Sequence, residues 1–181
     1  SLVLCDPDTL DTLSDEIFAD GCAEVIKYGI INDKDFFNLL KSGIKNNITE
    51  VIERCVKHKA EIVELDEFDL GARQLLNLGH TIGHAIELCS NLSISHGSAV
   101  AIGTVIATRI AVRLKLCPEQ DLNEVISLLQ SVGLPTKCQY SASELYSVAS
   151  ADKKRSGDAI SLILPYGIGN CKIYKTEICE L

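Results

Sequence analysis

Apolar side chains recurring at helical period set the strongest limit on what this chain folds into. Between Lys45 and Asp66 the apolar positions Ile48, Val51, Ile52, Cys55, Val56, Ile62 and Val63 fall on one face of a helix, with Lys59 interrupting the line. Ser14, followed by Asp15 and Glu16, supplies a capping hydroxyl and an acidic first turn, and GCAEVIKYGII continues that helix towards Asn32 and Asp33. DKDFFNLLK predicts a short amphipathic helix stopped at Gly43. ARQLLNLGHTIGHAIELC reads as one helical run reaching Asn91, and a further run extends from His96 to Leu116. Pro118 opens EQDLNEVISLLQSVG, which Gly133-Leu134-Pro135 ends. Ser143 to Ala151 predicts a short helix, and AISLIL, PYGIGN and CKIYKTEI predict two strands around a turn. The opening SLVLCDPDTL reads as a short strand turning at Asp6-Pro7. The expected fold is mainly α, a single helical unit with a small terminal β-hairpin.

A chain of 181 residues, 46% apolar and 23% charged, has enough material for one globular core. Its net charge of −8 argues against a nucleic-acid partner, although local lysines can still meet a small anion. No apolar run reaches the roughly 18 residues of a membrane span, and the most apolar stretch, Ala99 to Ala107, is followed by Arg109, Arg113 and Lys115. The N-terminus lacks the basic-then-apolar layout of a signal peptide, so a cytoplasmic location is expected. The eight cysteines are scattered, with no C-x-x-C pair. They read as small buried hydrophobes in a reducing compartment and not as metal ligands. With no Met and a start at Ser1, a processed chain or an excised piece is expected.

The residues suited to chemistry cluster. All four histidines lie between positions 58 and 96. His80 and His84 stand one turn apart on a predicted helix, and His96 begins the next, so a helical hairpin folds it back against the pair. Two or three imidazoles with one carboxylate make a catalytic zinc site. On spacing alone the pair fits equally a hydrogen-bonded core cluster, with Gly79 and Gly83 merely letting helices touch. Glu24 and Lys27 share one side of a helix whose neighbours Ala23, Val25, Ile26 and Ile30 are apolar. Either they form an ion pair, or Glu24 is the carboxylate available to a metal. Arg73, Asn77, His80 and His84 fall on one helical stripe without Asp, Glu or Lys, as in a pocket wall. Lys59, Arg73, Lys153 and Lys154 are the candidate anion binders.

Taken in order and at their separations, GCAEVIKYGII, LGARQLLNLGHTIGHAIE, HGSAVAIG and ADKKRSG resemble the 3-dehydroquinate synthase family across nearly the whole chain. The resemblance implies the helical C-terminal domain of that fold. Residues 1–13 would be the tail of an NAD-binding domain, and 14–181 the metal- and substrate-binding domain. It accounts for the missing glycine-rich phosphate loop. Carried over, the family's metal ligands fall on Glu24, His80 and His96, for Zn2+ or Co2+. His84 then stands beside the metal, near the substrate, whereas spacing alone would pair it with His80 as a ligand. Lys27, Lys59, Arg73, Asn77 and the lysines Lys153 and Lys154 match positions that hold the substrate's carboxylate, hydroxyls and phosphate. His84, Lys27 and Asn77 are the residues expected nearest the chemistry.

Two departures stand out. The family usually has His-Gly-Glu where this chain has His96-Gly97-Ser98, which is expected to loosen support around His96. An acidic residue usually precedes Gly-Leu-Arg, and here Asp69-Leu70-Gly71-Ala72-Arg73 preserves the charge.

The resemblance implies conversion of 3-deoxy-D-arabino-heptulosonate 7-phosphate to 3-dehydroquinate and phosphate in the shikimate pathway. NAD transiently oxidises a ring hydroxyl, phosphate leaves by elimination, and an intramolecular aldol step closes the carbocycle. A homodimer is the implied assembly, and the chain alone is expected to be inactive. Related sugar-phosphate cyclases such as 2-deoxy-scyllo-inosose synthase share most of these motifs. An iron-type alcohol or glycerol dehydrogenase fits less well, because AEVIKYG and ADKKR suit a phosphorylated, carboxylated substrate. A metal-free helical interaction module is the alternative of a different class.

Overall fold

The computed structural model describes residues 4–66, 71–153 and 159–177. The helices are α1 (Asp15–Asn32), α2 (Lys34–Lys41), α3 (Ile48–Leu65), α4 (His80–Cys89), α5 (His96–Arg113), α6 (Glu119–Ser131) and α7 (Ala142–Lys153). Strands β1 (Ala159–Pro165) and β2 (Cys171–Glu177) form an antiparallel pair in the register Ala159↔Glu177 to Pro165↔Cys171. The mainly α reading with a terminal hairpin therefore holds.

Local signals act where the sequence places them. Ser14 accepts the Ile17 N–H at 3.3 Å and starts α1. Asp33 caps α2 by accepting from Phe36 N at 2.8 Å. Gly43 and Gly133 follow α2 and α6 with φ of 111° and 84°, a backbone region that L-residues rarely enter.

The core runs between α1 and α5. Ile26 and Ile30 of α1, Phe36, Phe37 and Leu40 of α2, and Val105 and Ala111 of α5 are buried together with Leu162 and Leu164 of β1. Each large side chain of this kind contributes about 1.5–3 kcal/mol when fully buried. The hairpin is tied down at its turn, where Gly169 N donates to the Ile30 carbonyl at 3.0 Å and Ile168 N to Asp121 Oδ2 at 2.8 Å. No described helix is long and apolar enough to cross a membrane. Cys22, Cys117 and Cys171 are buried as expected, whereas Cys5 is exposed.

Three expectations are corrected. The segment before α1 is not a strand in its described part. Residues 1–3 lie outside the described residues, and Asp6 caps a 3-10 helix, Pro7–Thr12. The run from Ala72 to Cys89 is not one helix: a 3-10 segment, Ala72–Asn77, ends before Gly79, whose φ of 79° separates it from α4. Arg73 and Asn77 therefore do not share a helical stripe with His80 and His84. On α3 the buried line is Val51, His58 and Ile62, while Lys59 and Val56 face outwards.

Candidate metal centre

Glycine contacts between α4 and α5 build the site. A Cβ on Gly103 would fall on the Gly79 carbonyl, and one on Gly83 would meet Ala99 at 3.2 Å. The pairing of 79 with 103 and of 83 with 99 makes the helices antiparallel, with backbones in contact. In that register the start of α5 lies beside the later part of α4, and the His96 ring reaches back to a centroid distance of 5.2 Å from His80. Helix α1 packs against α5 and presents Glu24 to both.

Glu24 Oε1 lies 3.3 Å from His80 Nε2 and 3.5 Å from His96 Nε2. The other ring nitrogens are engaged: His80 Nδ1 faces the Leu78 carbonyl at 3.2 Å, and His96 Nδ1 faces Glu87 Oε1 at 3.0 Å. A backbone carbonyl accepts only, so His80 carries its proton on Nδ1, and the Glu87 carboxylate selects the same tautomer in His96. Both Nε2 lone pairs then point at a carboxylate oxygen that is buried and has no hydrogen-bond partner. Three electron-pair donors facing one another repel unless a cation lies among them. Glu24, His80 and His96 offer ligand atoms within 4.8 Å of one another. Two imidazole nitrogens and one carboxylate oxygen, with one side open, are the donor set of a catalytic zinc site. The residues fit a divalent metal.

The other oxygen, Glu24 Oε2, accepts from Lys27 Nζ at 2.5 Å. Burial pushes the Glu24 carboxyl up, but His80, whenever its Nε2 carries a proton, and the Lys27 ammonium outweigh it and hold it down at about 2. Burial also pulls the Lys27 ammonium down; Glu24 opposes this, and the charge of Lys59 adds to it. Lys27 and Lys59 thus act on one positive field beside the carboxylate.

His84 does not join the Glu24 group. Its side chain is 61% exposed and its Nδ1 faces Glu87 Oε2 at 2.7 Å. His84, Glu87 and His96 also lie close enough to hold a metal. There, however, each Glu87 oxygen already accepts from an imidazole, so nothing is left unpartnered as it is at Glu24. Burial raises the Glu87 carboxyl, and the two imidazoles bring it below its ordinary range. Glu87 is an orienting carboxylate that sequence reading missed, although its position one turn after His84 was a usable signal.

Arg73 is half-buried, with its backbone N–H donating to Asp66 Oδ2 at 3.0 Å, and Asn77 is exposed on the 3-10 segment. Lys153 is the last residue of α7, its side chain outside the described part, and Lys154 lies wholly outside the described residues. Away from this cluster, His58 is buried between Tyr28 and Phe36, with Nε2 facing Asp33 Oδ2 at 2.9 Å. It is a core histidine at the α1–α2–α3 junction.

A family model described as 3-dehydroquinate synthase C-terminal matches residues 21–155. A 3-dehydroquinate synthase of Clostridium beijerinckii is 41% identical over 98% of this chain and 53% of its own length. One from Acidithiobacillus ferrooxidans is 41% identical over 94% of the chain and 50% of its own length. The chain spans about half the length of the curated relatives it matches. Among solved structures, a 2-epi-5-epi-valiolone synthase from Streptomyces hygroscopicus, with NAD+ and Zn2+ bound, superposes with a TM-score of 0.84 at 22% identity, covering 93% of this chain and 50% of that one. A 2-deoxy-scyllo-inosose synthase complexed with carbaglucose-6-phosphate, NAD+ and Co2+ gives 0.76 at 23% identity, covering 96% and 52%. At those identities the structural likeness speaks for the fold alone.

Proposed function

Since the chain belongs to the 3-dehydroquinate synthase family, we propose that it is the metal- and substrate-binding part of an enzyme that converts 3-deoxy-D-arabino-heptulosonate 7-phosphate to 3-dehydroquinate and phosphate. The observation that carries this reading is the buried, unpartnered Glu24 Oε1 facing the Nε2 atoms of His80 and His96. These three residues would hold a zinc or cobalt ion. When bound, such an ion supplies a Lewis acid that binds substrate hydroxyls and lowers their pKa.

The chain's own side chains do the rest of the work assigned to this half. Lys27, fixed by Glu24, keeps that carboxylate ionised and adds positive charge at the site. Lys59 extends the field outwards, where a carboxylate or phosphate of the substrate would sit. Arg73 and Asn77, on the segment leading into α4, and Lys153 and Lys154 complete the proposed substrate contacts, with Arg73 suited to a bidentate anion contact. His84 has its Nδ1 on Glu87, so its Nε2 is the atom left to hold or pass a proton.

Among the described residues no glycine-rich phosphate loop opens a helix. NAD binding is assigned to the remainder of the protein, with residues 1–13 as its tail and 14–181 as the helical domain. A homodimer in the cytoplasm is the expected setting.

Elemental analysis of the purified chain tests the site: about one zinc per chain, lost in His80→Ala, is the expected result. Full zinc occupancy in His80→Ala would remove the ligand assignment. Substrate choice is tested in the full-length protein by comparing turnover of the heptulosonate phosphate with that of glucose 6-phosphate. Preference for the latter would move the protein to the inosose-forming cyclases.

A further inference from the structure

Helix α5 begins in an unusual way. Its N-cap residue, Ser95, makes no capping hydrogen bond with its own side chain. The Ser95 hydroxyl instead donates to Asp20 Oδ1, on α1. The same oxygen accepts the backbone N–H of Ser98 at 3.1 Å. Ser98 occupies the third helical position, whose amide an N-cap side chain ordinarily satisfies. A carboxylate from a distant helix has taken over the cap, and its charge suits the positive end of α5.

The contact extends to the backbone. Gly97 is buried, and a Cβ there would fall on the Asp20 carbonyl. The first turn of α5 is thus docked on α1 at Asp20, and His96 is the first residue of that turn. Asp20 stands one turn before Glu24 on the same helix, a rise of about 6 Å. This contact therefore acts directly on where the His96 backbone stands relative to Glu24. Packing alone does not hold the imidazole, since the His96 side chain is 47% exposed.

We propose that Asp20 is a positioning residue for the metal centre: by capping α5 from α1, it fixes His96 Nε2 opposite Glu24 Oε1. The proposal rests on the reading of Glu24, His80 and His96 as the ligand set. It also supplies a carboxylate at the first turn of α5, where Ser98 offers none.

The test uses the full-length protein and the variants Asp20→Ala, Asp20→Asn, Ser95→Ala and His80→Ala. Zinc affinity is read by competition with a chromophoric chelator, and melting temperature is read on the metal-free proteins. Asp20→Ala is expected to weaken zinc binding about tenfold, the usual effect of removing a residue that orients a ligand. Asp20→Asn keeps an acceptor oxygen for both donors and should restore affinity to within a few-fold. Ser95→Ala should fall between them. If His80→Ala loses zinc while Asp20→Ala binds it like the wild type, the positioning role is overturned and the ligand set stands. The same holds if Asp20→Ala lowers only the metal-free melting temperature. If His80→Ala binds zinc undiminished, the ligand set fails and takes the proposal with it.

Discussion

His96 turns its Nδ1 onto Glu87 Oε1 at 3.0 Å, which leaves its other nitrogen facing Glu24. The second Glu87 oxygen holds His84 Nδ1 at 2.7 Å, so one carboxylate sets the tautomer of two rings. Glu87→Gln keeps the shape but must present an amide N–H to one of the imidazoles. That ring must then accept at Nδ1 and carry its proton on Nε2. Zinc affinity is expected to fall about 10–100-fold, measured by chelator competition. Glutamine can also turn its N–H to His84 and spare His96, whereas Glu87→Ala leaves neither ring an acceptor. Unchanged affinity in both variants would show that Glu87 does not orient His96.

Metal removal should be visible in stability. A ligand bound only by the folded state contributes RT ln(1 + [L]/Kd), about 2.7 kcal/mol at a hundredfold excess over Kd. Zinc should therefore raise the melting temperature of the wild type, and a chelator should reverse the rise. In His80→Ala neither addition should move it, because Glu24 Oε1 keeps only one imidazole opposite. A zinc-dependent rise of the same size in that variant would contradict the site.

The α4–α5 contact predicts a strong effect of one methyl group. In Gly103→Ala the new Cβ meets the Gly79 carbonyl and lies 2.9 Å from Gly83 N, both backbone atoms that cannot rotate away. Overpacking of this kind costs about 1–3 kcal/mol, which chemical denaturation would read. Separating the helices also moves His80 from His96, so zinc affinity should fall with stability. Gly21→Ala, where nothing lies within 4 Å, is the control expected to leave zinc affinity unchanged and to raise stability by about 0.5–1 kcal/mol, as alanine does in a helix interior.

Asp33 joins two tasks away from the metal. Its Oδ1 caps α2 at Phe36 N, while its Oδ2 faces His58 Nε2 at 2.9 Å and Arg54 at 3.5 Å. Asp33→Ala removes the cap, worth about 1 kcal/mol, and leaves a buried imidazole unpaired, worth about 1–3 kcal/mol more. Thermal unfolding should show the combined loss with zinc affinity intact. A loss of metal in this variant would tie the junction to the site.

By itself the sequence determined the helices, because apolar period, capping residues and terminating glycines act within a few residues of one another. Ser14, Asp33, Gly43 and Gly133 all behave as their local chemistry requires. The ordered motifs also marked Glu24, His80 and His96 as candidates. What sequence could not settle depends on groups far apart in the chain. Periodicity carried the α4 pattern back through Ala72–Asn77, since it does not sense that the left-handed turn at Gly79 lets α4 lie against Thr104 and Val100. It placed His84 level with His80 as a ligand. Only the packing of α1 against α5 turns Glu24 to His80 and His96, while His84 is left to Glu87. Asp20 gave no local signal at all, because its partners Ser95 and Ser98 come from another helix. Hydrogen bonds and van der Waals contacts act over a few ångströms, so residues remote in sequence meet only once tertiary packing has brought their helices together.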